Sequence, residues 1–261
     1  MIYVNGDSHC AGAEAINDYC FAQDDPRYLA WGSRAHPDNI PYTFGYKLAT
    51  TLNQPFLLEA ESGSSNDRIL RTTKSFIENT KNKKDMFIII GWTTFEREEW
   101  PIEEIENGYI QISASGRDMV PKWMEEEYKN WVIKQTPDMH IQKEILWHNK
   151  INQFHLELKD QNIKHLFFNT YWHLRIKNTG MLEWHDQYID PYDRDSTFYF
   201  WCKNKGFEPR KEGWHYGVDA HNAYFLYLLD KVKKQYNIQT GLTDMPKRSI
   251  VSKVNKSTMR Q

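Results

Sequence analysis

Apolar and polar positions alternate along this chain in two rhythms. Four short stretches, "MIYVNG", "PFLLEA", "DMFIIIGW" and "IKHLFFNT", carry continuous apolar runs of strand length. The first reads as a strand buried on both faces, as a parallel sheet requires, and the other three read as strands, "DMFIIIGW" the clearest. Longer stretches between and after them have helical spacing. "YTFGYKLATTLN" puts Phe44, Leu48 and Leu52 on one face, and "SGSSNDRILRTTKSFIENTKNK" is a Gly/Ser loop entering a helix with Ile69, Leu70, Thr73 and Phe76 inward. "QKEILWHNKINQFHLELKDQN" predicts a long amphipathic helix through Ile145, Ile151, Phe154 and Leu158. "GVDAHNAYFLYLLDKVKKQYN" predicts a closing helix with Ala223, Leu226 and Tyr227 inward. Strands alternating with helices predict an α/β fold with a mainly parallel sheet and helices on both faces. Residues 1–240 read as one domain, with an acidic, aromatic insertion at about 96–140. Residues 241–261 read as a basic, solvated tail.

Composition narrows the class. The 261 residues are 40% hydrophobic and 26% charged, close to an ordinary globular chain, and the formal net charge of -2 supplies no global basic field for nucleic acid. The three cysteines, Cys10, Cys20 and Cys202, form no disulfide framework, which points to a reducing, cytoplasmic compartment. Cys10 follows Ser8 closely, and packing is the role expected of it. No apolar run is long enough to span a bilayer and no signal peptide is apparent, so neither a membrane nor a nucleic acid is expected as a partner. Aromatics at 15% exceed what a core requires and suggest a lined cleft or interface.

In an open parallel sheet, ligands bind beyond the carboxyl ends of the strands. The turns there are chemically loaded: Gly6-Asp7-Ser8-His9 after the first strand, Ser62-Gly63-Ser64-Ser65-Asn66 after the second and Gly91-Trp92-Thr93-Thr94 after the third. Glu212-Gly213-Trp214-His215 stands just before the last helix. A serine hydroxyl is a weak nucleophile that needs an adjacent base, and imidazole titrates near neutrality. Ser8 is therefore the candidate nucleophile, His215 the base and Glu212 the carboxylate that orients it. The Ser8 and Gly63 backbone N–H groups, with a side chain near Thr93, are candidate donors to a developing oxyanion. Each turn taken alone is ordinary: Gly-Asp-Ser is common turn chemistry, and "SGSSN" can simply cap a helix. Their joint occurrence at one sheet edge favours the chemical reading.

The blocks "GDSH", the glycine of "SGSSN", "GWTT" and "EGWH" resemble, in order, the four blocks of the SGNH hydrolases, or GDSL-type esterases. The resemblance spans nearly the whole chain on few identical residues. It implies a flavodoxin-like three-layer α/β/α sandwich and ester chemistry without a metal or organic cofactor. It makes Ser8 the nucleophile, His215 the base, and the Ser8 and Gly63 N–H groups oxyanion donors. Two positions depart from the family. Thr93 stands where an Asn side chain usually supplies the third oxyanion donor, so Thr93 must substitute, Asn66 must reach in, or turnover is slow. Glu212 replaces the usual Asp.

The remaining candidates carry two readings each. Asp7 orders the first turn, and His9 lines the cleft. Arg97 either clamps an anionic group or pairs with the glutamates beside it. Trp100, Trp123, Tyr128 and Trp131 either cover the cleft or pack the insertion. Aromatic faces stack on sugars, so the expected substrate is a small-molecule or carbohydrate ester, an O-acetyl group in particular. An acyltransferase, or a module of this fold that binds a glycan or a protein without turnover, is the alternative. His221 reads as a packing and capping partner of Asp219. "HDQYIDPYDRD", with four aspartates, reads as a solvated loop more readily than as a metal site.

Overall fold

The computed structural model describes residues 1–16, 34–102, 108–114, 120–176, 184–210 and 214–236. Glu212, Cys20 and the basic tail lie outside them. All four apolar stretches form strands: β1 (Ile2–Asn5), β2 (Phe56–Leu58), β3 (Phe87–Trp92) and, after the insertion, β6 (Lys164–Asn169). They make one parallel sheet in the order β2-β1-β3-β6. β1, β3 and β6 alternate side chains between two cores, which is what their unbroken apolarity requires, whereas β2, at the sheet edge, leaves Leu57 exposed. Ile2, Val4 and Ile89 face one core and Tyr3, Ile88 and Ile90 the other.

Helices cover both faces, the layering of a three-layer α/β/α fold. A four-residue helix α1 (Ser8–Ala11) follows β1 at once. α2 (Phe44–Thr51) packs its Phe44 and Leu48 on the first core, as its spacing predicts. On the opposite face α3 (Asn66–Asn79) buries Ile69, Thr73 and Ile77, with Leu70 and Phe76 only partly covered. The insertion holds an antiparallel hairpin, β4 (Glu98–Ile102) and β5 (Gly108–Ile112), then α4 (Glu125–Ile133). α5 (Pro137–Asp160) starts inside the stretch assigned to the insertion and carries Trp147, Ile151, Phe154 and Leu158 onto the second core. Ile145 is exposed, one step off the buried face.

The polar, aromatic region before the last helix contains α6 (Phe198–Asn204), which its sequence did not announce as regular structure. The closing helix α7 (Val218–Tyr236) is present, but its inner face is Ala220, His221, Tyr224, Leu228 and Val232. Leu226 is 60% exposed. Ala223 and Tyr227 sit at the margin, so the face is rotated relative to the expected one. Tyr224 explains the rotation, since it packs edge-on against Phe44 and Phe198, which a smaller residue at 223 cannot do. Among the described residues, no helix is long and apolar enough to cross a membrane, and no group of three or more His, Cys, Asp or Glu side chains is placed to hold a metal ion.

Cys10 is a core residue, fully buried, with its thiol pushed far above the usual range by burial. Its sulfur fills the space between the chain after β1 and the end of β3. A Cβ on Gly91 would stand 2.4 Å from the Cys10 sulfur and 2.7 Å from the Thr170 methyl. Gly91→Ala is therefore expected to cost about 1–3 kcal/mol of stability by overpacking. A urea unfolding midpoint equal to that of wild type would contradict this packing.

Candidate active site at the sheet's carboxyl edge

The strand order reverses between β1 and β3, so the turns that follow these two strands flank the crevice where open α/β sheets bind ligands. Asp7 is the N-cap of α1. Its Oδ1 accepts from the His9 backbone N–H at 3.0 Å. Its Oδ2 accepts from the Thr93 hydroxyl at 2.8 Å and the Thr170 hydroxyl at 2.7 Å. One buried carboxylate thus ties together the ends of β1, β3 and β6. Burial alone would raise its pKa. The neighbouring His9 and Arg97 charges and the two threonine hydroxyls outweigh burial and hold it below the usual carboxylate range.

Ser8 follows as the first residue of α1 and is partly accessible. Its backbone N–H has no carbonyl four residues back within the helix to receive it. His9 is turned inward, with its ring against Phe198, Tyr199 and, at 5.2 Å between centroids, His215. Its Nδ1 has no hydrogen-bond partner among the described residues. His9 is therefore a buried wall of the site rather than a lining of the open cleft. Burial pushes its pKa down to about 4. His221 lies behind it, buried and stacked on Phe44, with its pKa pushed down to about 3 by burial. Packing is its role, while Asp219 is exposed.

The carboxylate on His215 is Glu14. Its Oε2 is 3.0 Å from the His215 Nδ1. Glu14 is buried and adopts a left-handed backbone conformation at φ 59°, which costs a non-glycine residue of order 1–3 kcal/mol. The chain carrying His215 is held to it: the Arg210 Nε donates to the Glu14 carbonyl at 3.1 Å, and the Arg210 N–H donates to the His215 carbonyl at 2.7 Å. Sequence reasoning assigned the orienting role to Glu212, which lies outside the described residues, and missed Glu14. The available signal was a single charged residue inside the small, apolar run "CAGAEA". A carboxylate buried among alanines calls for a partner.

Gly63 lies in a left-handed turn at φ 75°, with nothing within 4 Å of where a Cβ would stand, so its surroundings are open. The next residues are fixed. The Ser65 N–H donates to Gln111 Oε1 of β5 at 2.8 Å, and the Ser65 hydroxyl caps α3. Neither side chain expected to replace the missing donor is free. The Thr93 hydroxyl gives its proton to Asp7. Asn66 is clamped to the Thr93 backbone, accepting from its N–H at 2.9 Å and donating to its carbonyl at 3.1 Å, which leaves one amide N–H uncommitted.

Arg97 is not paired with the glutamates beside it. Glu96 meets His140, Glu98 meets Lys143, and Glu99 is clamped by Arg71. Instead the Arg97 Nη1 donates to the Thr93 hydroxyl at 3.2 Å and to the Ser64 carbonyl at 3.3 Å. The tryptophans of the insertion pack on one another rather than over the crevice. Trp131 stacks on Tyr128 and meets Trp100 edge-on, while Trp123 is exposed. It is the hairpin that walls a cleft of about 610 Å³ beside Gly63, through Tyr109, Gln111 and Ser113. In the aspartate-rich loop, Asp193 is spent as a cap, accepting from the Asp195 N–H and the Ser196 hydroxyl.

No protein-family model matches this chain, and no curated protein matches it either.

Every histidine shift resolved is downward and led by burial, at His9, His148, His165, His173 and His221. Between pH 6.5 and 5 the unfolded chain takes up protons on these imidazoles that the folded chain refuses, so the unfolded state gains stability as pH falls. The urea midpoint is expected to drop steadily from pH 7 to pH 5, before the carboxylates titrate. A flat profile over that window would show that these imidazoles are not buried as described.

Proposed function

We propose that this protein is a serine esterase that passes the acyl group of an ester to Ser8 and then to water, as its resemblance to the SGNH hydrolases implies. The observation that carries the reading is the pairing of Glu14 with His215 Nδ1 at 3.0 Å, on a ring packed against the residue next to Ser8. A carboxylate on Nδ1 fixes the proton there and leaves Nε2 as the basic nitrogen. The Ser8 Oγ attacks the ester carbonyl carbon while His215 Nε2 takes its proton, and the carbonyl electrons move onto oxygen. Collapse breaks the bond to the alcohol, which leaves with the proton from His215. Water then attacks the acyl-Ser8, again losing a proton to His215, and releases the acid. The Ser8 and Gly63 N–H groups serve the oxyanion. The buried, unpaired Cys10 and Cys202 fit the cytoplasmic setting expected from the sequence.

The commitment of the Thr93 hydroxyl to Asp7 supports a modest rate. One missing oxyanion donor costs about 10²–10³ in kcat. The same observation favours the second reading, a module of this fold that binds a glycan or a protein partner without turnover. Stacking support for a carbohydrate is thin, because Tyr109, the aromatic residue in the cleft wall, is already covered by the Arg71 guanidinium at 4.0 Å.

A chromogenic acetyl-ester assay with wild type, Ser8→Ala and Glu14→Gln decides between the two. The esterase reading expects Ser8-dependent turnover and covalent labelling of Ser8 by an organophosphonate. It expects Glu14→Gln to lower kcat at least tenfold, and more than Glu212→Gln does. Absence of both turnover and labelling supports the binding module. A greater loss from Glu212→Gln would return the orienting role to that residue.

A further inference from the structure

The cleft beside Gly63 carries one guanidinium with no carboxylate in hydrogen-bonding reach. Four arginines and three glutamates line it. Arg68 holds Glu61 at 2.7 Å and Glu59 at 3.2 Å. Arg71 clamps Glu99 with two hydrogen bonds of 2.8 Å. Arg34 stands 3.8 Å from Glu61. Arg97 is left over. Its nearest carboxylate is Asp7, 3.9 Å away and beyond hydrogen-bonding reach, whose oxygens already receive the His9 N–H and two threonine hydroxyls. Its neighbours Glu96, Glu98 and Glu99 are all bound elsewhere.

The guanidinium is nonetheless fixed. Thr93 and the Ser64 carbonyl hold Nη1, while Nε and Nη2 have no partner among the described residues. The side chain remains 28% exposed and lines the cleft. Ser64 is the residue after Gly63, so the free fork stands next to the candidate oxyanion donor. A planar fork with two idle nitrogens matches a carboxylate, which it holds with two parallel bonds.

We propose that Arg97 binds a carboxylate of the substrate, so that the preferred ester carries a negative charge on its acyl or alcohol half, near the scissile bond. This rests on the esterase reading for the word substrate, while the anion site itself stands on the cleft alone. The open guanidinium fork is the discriminating feature, since a site for a neutral O-acetyl sugar has no carboxylate to place on it.

Two matched pairs of esters test the proposal. The anion is on the acyl half in mono(4-nitrophenyl) adipate against 4-nitrophenyl hexanoate, and on the alcohol half in 4-acetoxybenzoate against its methyl ester. Wild type is expected to prefer the carboxylate member of at least one pair by tenfold or more in kcat/KM. Arg97→Gln is expected to reduce that ratio at least tenfold, and Arg97→Lys to reduce it less. Raising NaCl from about 50 to 500 mM in wild type should shrink the ratio as well, a readout that needs no variant to fold. In parallel, calorimetry with adipate and 4-hydroxybenzoate on Ser8→Ala should show binding that Arg97→Gln in the same background removes. Arg97-dependent binding without turnover of any ester would sink the esterase reading and keep the anion site. Ser8-dependent turnover with the ratio unmoved by Arg97→Gln and by salt would overturn the anion site and keep the esterase.

Discussion

A single buried carboxylate organises the functional edge of this fold. Asp7 sits where β1 ends, and its two oxygens collect a backbone N–H from its own turn and hydroxyls from the turns after β3 and β6. A buried carboxylate left unpaired would cost several kcal/mol, so each of these donors is under pressure to stay. Their hold fixes the separation of the strand ends and thereby the height at which Ser8 stands. The same hold decides what the Thr93 side chain is free to do. A hydroxyl can serve Asp7 or an oxyanion, and here it serves Asp7.

The second constraint is conformational. Glu14 accepts a left-handed backbone and burial together, two penalties that nothing in the fold requires of a turn. Two contacts answer them, the His215 imidazole on the carboxylate and the Arg210 guanidinium on the Glu14 carbonyl. Strain kept at a residue that touches an imidazole is the pattern of a site whose geometry matters more than its local stability. Glycine tolerates φ near 59° at no steric cost, and a glutamate stands there instead.

How much of this was legible follows from the range of each signal. The four strands and the longer helices α2, α3 and α5 were readable because hydrophobic period is a local property, and three of the strands, β1, β3 and β6, are buried almost throughout. The inner face of α7 was misjudged by a fraction of a turn because the helix is apolar on several sides, and only the ring of Tyr224 against Phe44 fixes the rotation. α6 escaped notice since its apolar run "FYFW" suits strand or loop equally and its cap, Thr197, is not distinctive. Glu14 was missed for a different reason. Its partner lies 201 residues away, and "EGWH" offered a glutamate at familiar spacing. Motif spacing identifies a family pattern. It does not say which of two carboxylates the folded chain brings to a given nitrogen.

The place of Arg97 follows from the negative anchor. The buried Asp7 carboxylate projects a negative field toward the Thr93 turn. Arg97, 3.9 Å from Asp7, offsets this field. At an effective dielectric near 20, two unit charges at that separation interact by about 4 kcal/mol, reduced here because part of the guanidinium meets water. Were Arg97 paired with Glu96, Glu98 or Glu99, that offset would be shared and the crevice would repel anions. The sequence supplies His140 and Lys143 from the start of α5 and Arg71 from α3 to occupy those three glutamates. The aromatic, acidic insertion is therefore more than a cover. Through the first turns of α5 it holds Glu96 and Glu98 away from Arg97, and so helps leave two guanidinium nitrogens open next to the serine turn.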